Sequence, residues 1–414
     1  MDKIIAVIGL GYVGLPLAIL LSKKYQVIGY DVNKNRINEL KKGIDVTNQI
    51  FDKKIIKKSL NYTFSPGLLK NCSIYIITVP TPLKKYNNPD FNSLKKASKV
   101  VSKYLTKGDI VVYESTVFPG ATEEICVPIL SKSGLKYNTD FTVGYSPERI
   151  NVGDSINNIK NIPKIVSASN RSTLNLLFRL YKSVIAAKIH RVSSIKIAEA
   201  AKVIENSQRD VNIAFVNEIA MMLSFMGLDS TEVFEAAATK WNFLKFSPGL
   251  VGGHCIGIDP YYLAHKAKKF GYSPNLLLSA RKVNEEVPNF ITSEIIKKMK
   301  EHKIKVHGSK ILLLGATFKE NTADIRNSKA LKIAYQLAKK KVKLIIYDPF
   351  LNCKSINNIE TSNIHPKNKK FDVIILAVKH KQFKLLSPVN FLSKKGFVYD
   401  IKNLFKRHTR IYRM

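Results

Sequence analysis

The chain begins with a glycine-rich turn placed between a short apolar strand and a helix. The apolar run Ile4–Ile8 leads into the run Gly9–Gly14, which has the pattern G-x-G-x-x-G, and a helical pattern follows from about Leu15. A second apolar run, Val27–Tyr30, ends at Asp31, an acid roughly 20 residues beyond the turn. This order of strand, glycine turn, helix, strand and acid predicts a βαβ unit that binds a dinucleotide.

The glycines and the acid each have a physical task in such a site. Gly9 permits the tight turn, Gly11 lets the backbone approach a pyrophosphate at the helix N-terminus, and Gly14 allows close packing of helix on strand. Asp31 would accept the ribose hydroxyls and repel a 2′-phosphate, which favours NAD, although the nearby Arg36 leaves some tolerance of NADP open. A doubly wound domain without a cofactor is the alternative. The expected cofactor contacts in this part are Gly9, Gly11, Tyr12, Val13, Gly14, Asp31 and Arg36.

Three further apolar runs continue the strand rhythm, and each ends in a polar loop. The runs are Ile74–Val79, Ile110–Tyr113 and Phe141–Tyr145. Open α/β sheets bind ligands at the carboxyl ends of their strands, so we expect Thr81, Thr116 and Glu148 at a cofactor–substrate crevice. Two plainer interpretations stay open from the residues alone. Thr116 could be a helix N-cap, and Glu148 could form a surface salt bridge with Arg149.

Apolar residues recur at three- and four-residue spacing from Ser194 to about Met226, which predicts one unusually long helix. A helix of this length commonly bridges domains and can form a dimer face. Lys202 and Asn206 are four residues apart and therefore project from the same face. A cation and an amide side by side could hold an oxyanion, but spacing alone favours a solvated stripe.

The strand and helix rhythm returns after about Lys300, but the glycine triplet does not. The predicted elements are strand Lys310–Gly315, helix Asn327–Lys341 and strands Lys343–Tyr347, Val373–Val378 and Phe397–Asp400. Because the turn Ala316–Asn321 lacks the triplet, this second domain is expected to bind something other than NAD. Lys319 and Arg326 favour a nucleotide diphosphate, and Arg326 could equally reach the dinucleotide.

These patterns predict an α/β protein with two Rossmann-like doubly wound domains, joined by a long central helix and a helical dimerisation region. The expected boundaries are 1–193 for the dinucleotide domain, 194–300 for the helical region and 301–414 for the second Rossmann-like domain. A length of 414 residues fits two or three domains. The uncharged run Ile4–Leu21 is interrupted by glycines and Pro16, so we interpret it as the first βα unit rather than a membrane helix.

Cys255 lies in the run Gly252–Pro260 of a chain that also carries a nicotinamide site, and the pairing indicates the reaction. A dehydrogenase that only interconverts alcohol and carbonyl needs no thiol. One that continues to an acid can use a thiolate to form a thiohemiacetal and then a thioester. The pairing therefore predicts oxidation by four electrons. We reject a metal site, because His254 and Cys255 are adjacent and the sequence has no second His/Cys cluster.

The formal net charge of +36 allows nucleic acid, an anionic membrane or acidic small molecules as partners. Lysine is abundant along the whole chain, no single block carries the excess, and no nucleic-acid motif is present, so we favour a compositional bias and expect no nucleic acid or membrane partner. The four cysteines show no paired spacing, which fits a reducing cytoplasm.

Taken together, the motifs extend over nearly the whole chain, which resembles the UDP-glucose/GDP-mannose dehydrogenase family. The matching runs are Val7–Pro16, Glu114–Val117, Gly252–Cys255 and Phe318–Arg326. Within the family the chain resembles the branch that oxidises UDP-N-acetylhexosamines at C6 for O-antigen and Vi-type capsule synthesis. The runs that carry this closer resemblance are Tyr145–Asn151, Ile204–Asn212 and Gly253–Tyr262.

The resemblance implies a catalytic role for six residues. Cys255 matches the thiol nucleophile, and Lys202 and Asn206 match the pair that steadies the oxyanion of the tetrahedral intermediates. The other three match groups that handle water and protons. Asp259 and Thr116 would position water and assist proton transfer, and Glu148 would help to hydrolyse the thioester.

The resemblance also implies binding roles. Lys319 matches a substrate-binding lysine, Arg326 matches an arginine near the cofactor phosphates, and the stretch from Phe243 to Lys245 matches one that lies along the UDP-sugar. Thr81 and Thr116 complete the expected cofactor contacts. The expected substrate contacts are Glu148, Arg149, Lys202, Asn206, Phe243, Lys245, Gly252 and Lys319.

The expected function is the NAD-dependent oxidation of UDP-N-acetylglucosamine to its 6-uronic acid, for surface polysaccharide synthesis, by a cytoplasmic homodimer or higher homo-oligomer. UDP-glucose, UDP-N-acetylgalactosamine and UDP-N-acetylmannosamine stay open as substrates. A two-electron dehydrogenase of the β-hydroxyacid type is a second hypothesis, and it would need no Cys255. A nucleic-acid-binding protein is a third, and it would show salt-sensitive binding.

Overall fold

The computed structural model describes residues 3–47, 49–50, 52–150, 159–366 and 369–414, so Asn151 of the run Tyr145–Asn151 lies outside the described residues. The chain divides into two compact units. The first comprises Met1–Glu205 and Tyr261–Ser273, and the second comprises Asn206–Pro260 and Pro274–Met414. The division into three domains at residues 193 and 300 stays a prediction.

The first unit is built on a sheet of eight strands, counted over the described residues. The strands are β1 (Ile5–Ile8), β2 (Val27–Tyr30), β3 (Asn61–Thr63), β4 (Ile74–Ile77), β5 (Asp109–Tyr113), β6 (Phe141–Tyr145), β7 (Lys164–Ala168) and β8 (Ile189–Arg191). Their order is β3-β2-β1-β4-β5-β6-β7-β8, and every pair is parallel except β6 with β7. The central strands are buried over their full length, because helices cover a parallel sheet on both faces.

Helices connect these strands and continue into the middle of the chain. They are α1 (Gly14–Leu21), α2 (Lys34–Lys41), α3 (Lys53–Ser59), α4 (Asn92–Ser102), α5 (Val127–Leu130), α6 (Arg171–Lys182), α7 (Ile195–Phe225), α8 (Ser230–Ala237), α9 (Asp259–Lys269) and α10 (Asn275–Glu301). Asn33 and Asp52 begin α2 and α3, because each side chain accepts two backbone N–H groups of the first turn. The boundary between the two units falls inside α7 and again within the first turn of α9.

The second unit contains a seven-stranded sheet in the part of the chain that the structure describes. Its strands are β9 (Lys310–Leu314), β10 (Lys343–Tyr347), β11 (Ser355–Ile356), β12 (Ile359–Ser362), β13 (Phe371–Leu376), β14 (Leu392–Asp400) and β15 (Ile411–Arg413), with helix α11 (Lys329–Ala338) between β9 and β10. The order is β11-β12-β10-β9-β13-β14-β15, and only β11 and β12 pair antiparallel among them. The predicted α/β class with two parallel-dominated sheets is confirmed.

The structure contains several elements that the sequence patterns did not predict. Among the strands these are β3, β7, β8, β11, β12 and β15, and among the helices the longest is α10. The predicted helix Asn327–Lys341 begins at Lys329 instead, because Asn327 has a φ of +51° and Ser328 caps the helix by accepting the N–H of Leu331. These differences matter for the site, because Lys164 lies on β7, Arg281 lies on α10, and Asn327 lies in the turn before α11.

Candidate active site

The glycine turn connects β1 to α1, and its glycines have different surroundings. A Cβ on Gly14 would lie 1.8 Å from the carbonyl oxygen of Gly9, so a larger residue would push α1 away from the turn. A Cβ on Gly11 would meet none of the described atoms within 4 Å, so the backbone there faces open space. With Tyr12 and Val13, Gly11 forms a half-buried rim at the N-terminus of α1, where a pyrophosphate can bind backbone N–H groups.

Asp31 stands at the carboxyl end of β2, next to this rim. Its Oδ2 accepts the N–H of Leu10 at 2.8 Å, and its Oδ1 accepts the N–H of Asn33 at 2.9 Å. The carboxylate is therefore fixed beside the glycine turn while it stays half-buried. This position suits the ribose hydroxyls of a dinucleotide, so the residues present fit NAD.

Arg36 lies behind the glycine turn and not in its open space. Its Nε donates to the carbonyl oxygen of Leu10 at 2.9 Å, and its Nη2 donates to Asp45 at 2.7 Å. Burial raises the pKa of Asp45, but hydrogen bonds from Thr47 and Arg36 outweigh it and hold that pKa below its usual range. The structure thus gives Arg36 the task of supporting the turn, and its guanidinium is paired inside the protein.

The loops after β4 and β5 are joined to each other in the first unit. Thr81 Oγ1 donates to the carbonyl oxygen of Thr116 at 2.7 Å, and the Tyr262 hydroxyl donates to the carbonyl oxygen of Thr81 at 2.7 Å. Thr116 is half-buried, and the helical turn that follows it begins at Thr122 with Ala121 as its N-cap. The interpretation of Thr116 as a helix N-cap is therefore wrong.

Glu148 follows β6 and approaches a buried ion pair. Its Oε1 accepts the N–H of Arg149 at 2.6 Å, and its Oε2 lies 3.8 Å from Nζ of Lys164. Lys164 donates to Glu114 at 2.8 Å, and burial raises the pKa of Glu114 against the opposing charge of Lys164. Arg149 pairs with Glu205 at 2.7 Å, so the surface salt bridge between Glu148 and Arg149 is not formed.

The first turns of α7 carry two buried functional groups, Glu199 and Lys202. The Glu199 carboxylate accepts the N–H groups of Gly120 and Thr122 at 2.5 and 2.9 Å. Burial raises the pKa of Glu199 to about 7, although these hydrogen bonds act in the opposite direction. The loop that contains Thr116 is therefore tied to the helical segment that presents Lys202. Sequence analysis missed Glu199.

Cys255 is exposed in a turn of the second unit that leads directly into α9. Its carbonyl oxygen accepts the N–H groups of Ile258 and Asp259, both at 2.9 Å. Asp259 is wholly buried, and its Oδ2 accepts Nδ2 of Asn206 at 2.6 Å. Asn206 is itself buried, one turn after the buried Lys202 on α7, so the interpretation of these two residues as a solvated stripe is wrong.

The residues just before Cys255 pack on the segment that follows β9. Gly253 has a φ of +80°, and a Cβ there would lie 2.5 Å from the Phe318 ring. The His254 ring lies 5.1 Å from that of Phe318, and its Nδ1 lies 3.8 Å from Asp324. Burial and then the charge of Arg326 lower the pKa of His254, so the imidazole is neutral at neutral pH. Arg326 also binds Asp324 through Nε at 3.0 Å and Nη2 at 2.6 Å.

A cavity of about 240 Å³ in the second unit brings together Phe243, Lys245 and Lys402. Lys402 follows β14 and also borders a smaller cleft lined by Gly252 and Lys319. Burial lowers the pKa of Lys402. Sequence analysis missed this lysine, yet its place just after a parallel strand, at the ligand-binding edge of the sheet, is a signal that could have found it.

Within the described ranges, three or more His, Cys, Asp and Glu side chains nowhere gather as they would around a metal ion. The helices of the same ranges include none that is both long and apolar enough to cross a membrane.

Three segments of the chain match consecutive domains of one family. Residues 3–185 match the NAD binding domain of the UDP-glucose/GDP-mannose dehydrogenase family, residues 196–286 match its central domain, and residues 312–407 match its UDP binding domain. The glycine turn and Asp31 lie in the first match, Cys255 in the second, and Lys319 and Lys402 in the third. The NAD cofactor predicted from the glycine turn is confirmed by the first match.

Individual proteins are similar over almost the full length. The chain is 47% identical to UDP-N-acetyl-D-glucosamine 6-dehydrogenase of Pseudomonas aeruginosa over 97% of each chain. It is 48% identical to the protein of the same name from Salmonella typhi, over 96% of this chain and 95% of that one. Among solved structures, a UDP-D-ManNAc dehydrogenase from Pyrococcus horikoshii matches with a TM-score of 0.88 at 30% identity and covers 99% of both chains.

Proposed function

The chain belongs to the UDP-glucose/GDP-mannose dehydrogenase family, and from this premise we propose that it oxidises the C6 hydroxyl of UDP-N-acetylglucosamine to the carboxylate. It is an NAD-dependent dehydrogenase of UDP-sugars. The choice of sugar is supported by 47 and 48% identity to two UDP-N-acetyl-D-glucosamine 6-dehydrogenases, against 31% to UDP-N-acetyl-D-mannosamine dehydrogenases. The product, a uronic acid still activated by UDP, suits the assembly of a surface polysaccharide.

The cofactor would bind across the glycine turn of the first unit. Gly11, Tyr12 and Val13 would receive the pyrophosphate at the N-terminus of α1, and Asp31 would accept the ribose hydroxyls. Bound NAD supplies the hydride acceptor for both oxidations. Arg36 supports the turn from behind, so a 2′-phosphate would meet the negative charge of Asp31, and we expect a preference for NAD over NADP.

The single observation that carries the four-electron reaction is the exposed thiol of Cys255 in a chain with a dinucleotide site. Once C6 has become an aldehyde, the thiolate sulfur bonds to C6 and the carbonyl oxygen takes a proton, which gives a thiohemiacetal. Loss of the second hydride from C6, together with the proton of its hydroxyl group, leaves a thioester. Water then adds to C6, the carbon–sulfur bond breaks, and the carboxylate and the free thiol are released.

The surrounding side chains would serve these steps by charge and hydrogen bonding. The Lys202 ammonium and the Asn206 amide would stabilise negative charge on the oxygen of the tetrahedral intermediates. Asp259 orients that amide through their 2.6 Å hydrogen bond. Thr116 would position water, and Glu148 would take a proton from the water that splits the thioester.

The substrate would bind through the residues around the two clefts of the second unit. Lys319, Lys245 and Lys402 present positive charge suited to a diphosphate, and Phe243 offers a ring for the base or sugar. Arg149 and Gly252 are the remaining proposed substrate contacts. Arg326 would serve the cofactor phosphates.

The decisive experiment counts NADH released per UDP-N-acetylglucosamine consumed. We expect a ratio of two, with the uronic acid as product, and no uronic acid from the variant Cys255→Ser. Cys353→Ser is the matched control, because Cys353 is also an exposed thiol and lies outside the proposed site. A ratio of one, or full acid production by Cys255→Ser, would overturn the covalent four-electron scheme.

The same assay identifies the sugar. UDP-glucose, UDP-N-acetylgalactosamine and UDP-N-acetylmannosamine should each give kcat/KM at least about tenfold lower than UDP-N-acetylglucosamine, which corresponds to roughly 1.4 kcal/mol of discrimination. If any of the three gave a higher kcat/KM, the proposed reaction would stand and the proposed sugar would be wrong.

We further propose that the protein works as a homodimer in the cytoplasm, where NAD, UDP-sugars and reduced thiols occur together. Apolar side chains on the second half of α7 support the dimer, since Phe215, Met222 and Phe225 are all largely exposed, Phe225 by 80%. Sedimentation velocity should find a dimer that Phe215→Glu combined with Phe225→Glu converts to monomer. A wild-type monomer at micromolar concentration would contradict this assembly.

A further inference from the structure

The turn that carries Cys255 is held at both of its ends by the second unit. At its carboxyl end, Asp259 binds Asn206. At its amino end, Asn327 and Gly253 form two hydrogen bonds, and each residue donates one of them. We call this pair of hydrogen bonds the clasp. The Asn327 Nδ2 donates to the carbonyl oxygen of Gly253 at 2.8 Å, and the Gly253 N–H donates to the carbonyl oxygen of Asn327 at 3.4 Å.

The contact with Asn327 is close enough to require glycine just before the thiol. A Cβ on Gly252 would lie 2.6 Å from the carbonyl oxygen of Asn327, and one on Gly257 would lie 3.6 Å from the Asn327 Nδ2. Asn327 therefore binds the chain on the amino side of Cys255 and lies near Gly257 on its carboxyl side. Its own backbone is left-handed, with a φ of +51°, a conformation that asparagine adopts more readily than most residues with a side chain.

A buried chain of alternating charges fixes the Asn327 amide. Nζ of Lys329 donates to the Asn327 Oδ1 at 3.2 Å and to Glu285 at 2.7 Å. Arg281 donates to Glu285 through Nη2 at 2.5 Å and to Asp210 through Nη1 at 2.6 Å. Because Lys329 occupies the amide oxygen, the amide nitrogen must face Gly253.

The chain of charges ends on the same helix that holds the other end of the turn. Asp210 lies on α7 one turn after Asn206, and both are buried. Burial raises the pKa of Glu285, but Lys329 and Arg281 outweigh it and hold that pKa below its usual range, so the carboxylate stays charged. One turn of α7, which carries Asn206, thus binds the carboxyl end of the cysteine turn directly. The next turn of α7, which carries Asp210, reaches the amino end through the side chains of Arg281, Glu285, Lys329 and Asn327.

We propose that Asn327 is a positioning residue that holds the Cys255 thiol in the geometry required for attack on the aldehyde, with its amide oriented by Lys329, Glu285, Arg281 and Asp210. The proposal rests on the proposed function for the reaction that the thiol performs. A nucleophile displaced by about 1 Å loses on the order of a hundredfold in rate, while binding of the substrate elsewhere is unaffected.

The variant Asn327→Gly tests the contribution of the side-chain amide apart from that of the backbone conformation. Glycine tolerates a φ of +51° and lacks only the side-chain donor. We expect kcat for acid formation to fall about 10- to 100-fold, with KM for the UDP-sugar changed less than about threefold. Asn357→Gly is the matched control, since Asn357 is an exposed asparagine with a φ of +46° in the hairpin of β11 and β12, and it should leave kcat unchanged.

The variant Asn327→Asp tests the donor itself. Aspartate keeps the shape and pairs with Lys329, but it offers an oxygen to the carbonyl oxygen of Gly253, so we expect the same loss of kcat as for Asn327→Gly. Full activity of either variant would overturn the proposal. A parallel rise in KM and fall in kcat, with a lower unfolding temperature, would also overturn it in favour of a purely structural role.

Hydrogen–deuterium exchange gives an answer that does not depend on the substrate. In Asn327→Gly the amides of residues 252–258 should exchange at least about tenfold faster than in wild type, and in Asn357→Gly they should not. Unchanged exchange would overturn the proposal. If wild-type protein makes no acid from UDP-N-acetylglucosamine, the proposed function fails, and faster exchange in Asn327→Gly would still support the clasp.

Discussion

The two sheets place an aspartate at the same point of their topology and use it differently. Asp31 ends β2 and Asp348 follows β10, and in each unit the carboxylate accepts a backbone N–H from the turn after the neighbouring first strand. Asp31 is half-buried beside the open backbone of Gly11. Asp348 is wholly buried. The first acid is available to a ribose, and the second is enclosed by the protein.

His380 fills the space in the second unit. Its Nδ1 accepts the N–H of Asn321 at 2.9 Å, so its Nε2 carries the proton in the neutral ring and donates to Asp348 at 3.1 Å. The N–H groups of Ala316 and Thr317 also reach that carboxylate, at 2.8 and 3.2 Å. Here a side chain binds the carboxylate, whereas the corresponding carboxylate of the first unit is proposed to bind a ribose.

The comparison shows that the βαβ architecture supplies the acid and that the residues around the turn decide its use. Glycines leave room for a dinucleotide, whereas the alanine and threonine of the second turn, together with His380, close the site. That the second unit binds something other than NAD stays a prediction, and the hydrogen bond between His380 and Asp348 supports it beyond the missing triplet. The predictions below test the comparison, beginning with the largest expected effect.

Replacing Gly14 with alanine should disrupt the dinucleotide site of the first unit, because it disturbs the packing of α1 against the glycine turn. The new Cβ would lie 1.8 Å from a backbone oxygen and 2.4 Å from Thr78 Oγ1, so α1 must move. We expect a loss of unfolding free energy above about 3 kcal/mol and no measurable NADH binding. Gly11→Ala should instead keep the unfolding temperature within about 2 °C and weaken NADH binding by roughly tenfold, because its Cβ enters open space meant for the pyrophosphate.

Thermal unfolding and NADH fluorescence titration measure both quantities on the same samples. Equal stability losses for Gly14→Ala and Gly11→Ala would mean that the open space beside the turn is not kept for a ligand, and the contrast with the second unit would disappear.

Asparagine at the two equivalent acids should produce opposite phenotypes. In Asp348→Asn the amide N–H groups would face the donors from Ala316, Thr317 and His380, so we expect a loss of about 3 kcal/mol in stability with unchanged NAD binding. In Asp31→Asn we expect unchanged stability, a 10- to 100-fold weaker NAD affinity and a smaller preference over NADP.

The pH dependence gives a second test at Asp348. Its folded-state pKa is lowered because the hydrogen bonds from His380 and from the backbone N–H groups of Ala316 and Phe350 outweigh the effect of burial. The group therefore contributes stability above the unfolded pKa of roughly 4 and loses it as the pH falls. Acid unfolding followed by circular dichroism should show this loss in wild type and not in Asp348→Asn. A matching acid sensitivity in Asp348→Asn would exclude Asp348 as its source.

Sequence patterns predicted the candidate site residues of the first unit because the signals there are local. The glycine turn, Asp31 and the loops that carry Thr81, Thr116 and Glu148 all follow apolar runs that formed strands, and the ends of parallel strands meet at one edge of a sheet. The same reasoning predicted both sheets. It did not predict β3, β7 and β8 in the first sheet or β11, β12 and β15 in the second.

Residues that act across long separations carry no such signal. Glu199 binds Gly120 across 79 positions of the chain, and Asn327 binds Gly253 across 74. Each of these contacts depends on the folded positions of α7 or of the segment before α11, and neither residue belongs to a spacing pattern. A sequence therefore indicates which groups perform chemistry more readily than which groups hold them in place.

The comparison extends to the loop after the strand that lies two places from the first strand in each sheet, which is β5 in the first unit and β14 in the second. In the second unit Asp400 caps its own loop by accepting the N–H groups of Leu404 and Phe405 at 2.7 and 2.8 Å. In the first unit the loop after β5 is capped from a distance by Glu199 of α7. The first loop is thus coupled to the helix that presents Lys202, and its stability should follow the protonation of Glu199.

Glu199→Gln should remove this pH dependence. The folded-state pKa of Glu199 is raised to about 7 from 4.5, so the folded protein keeps a proton that the unfolded chain has lost between these values. Local stability is then greatest below about pH 4.5 and falls as the pH rises to 7, by roughly 3 kcal/mol. Hydrogen exchange of residues 116–126, corrected for intrinsic rates, should show the fall in wild type and in the exposed control Glu218→Gln but not in Glu199→Gln. If the local stability of Glu199→Gln still fell with rising pH, the titrating group would be a residue other than Glu199. The proposed difference between the loops after β5 and β14 would then be contradicted.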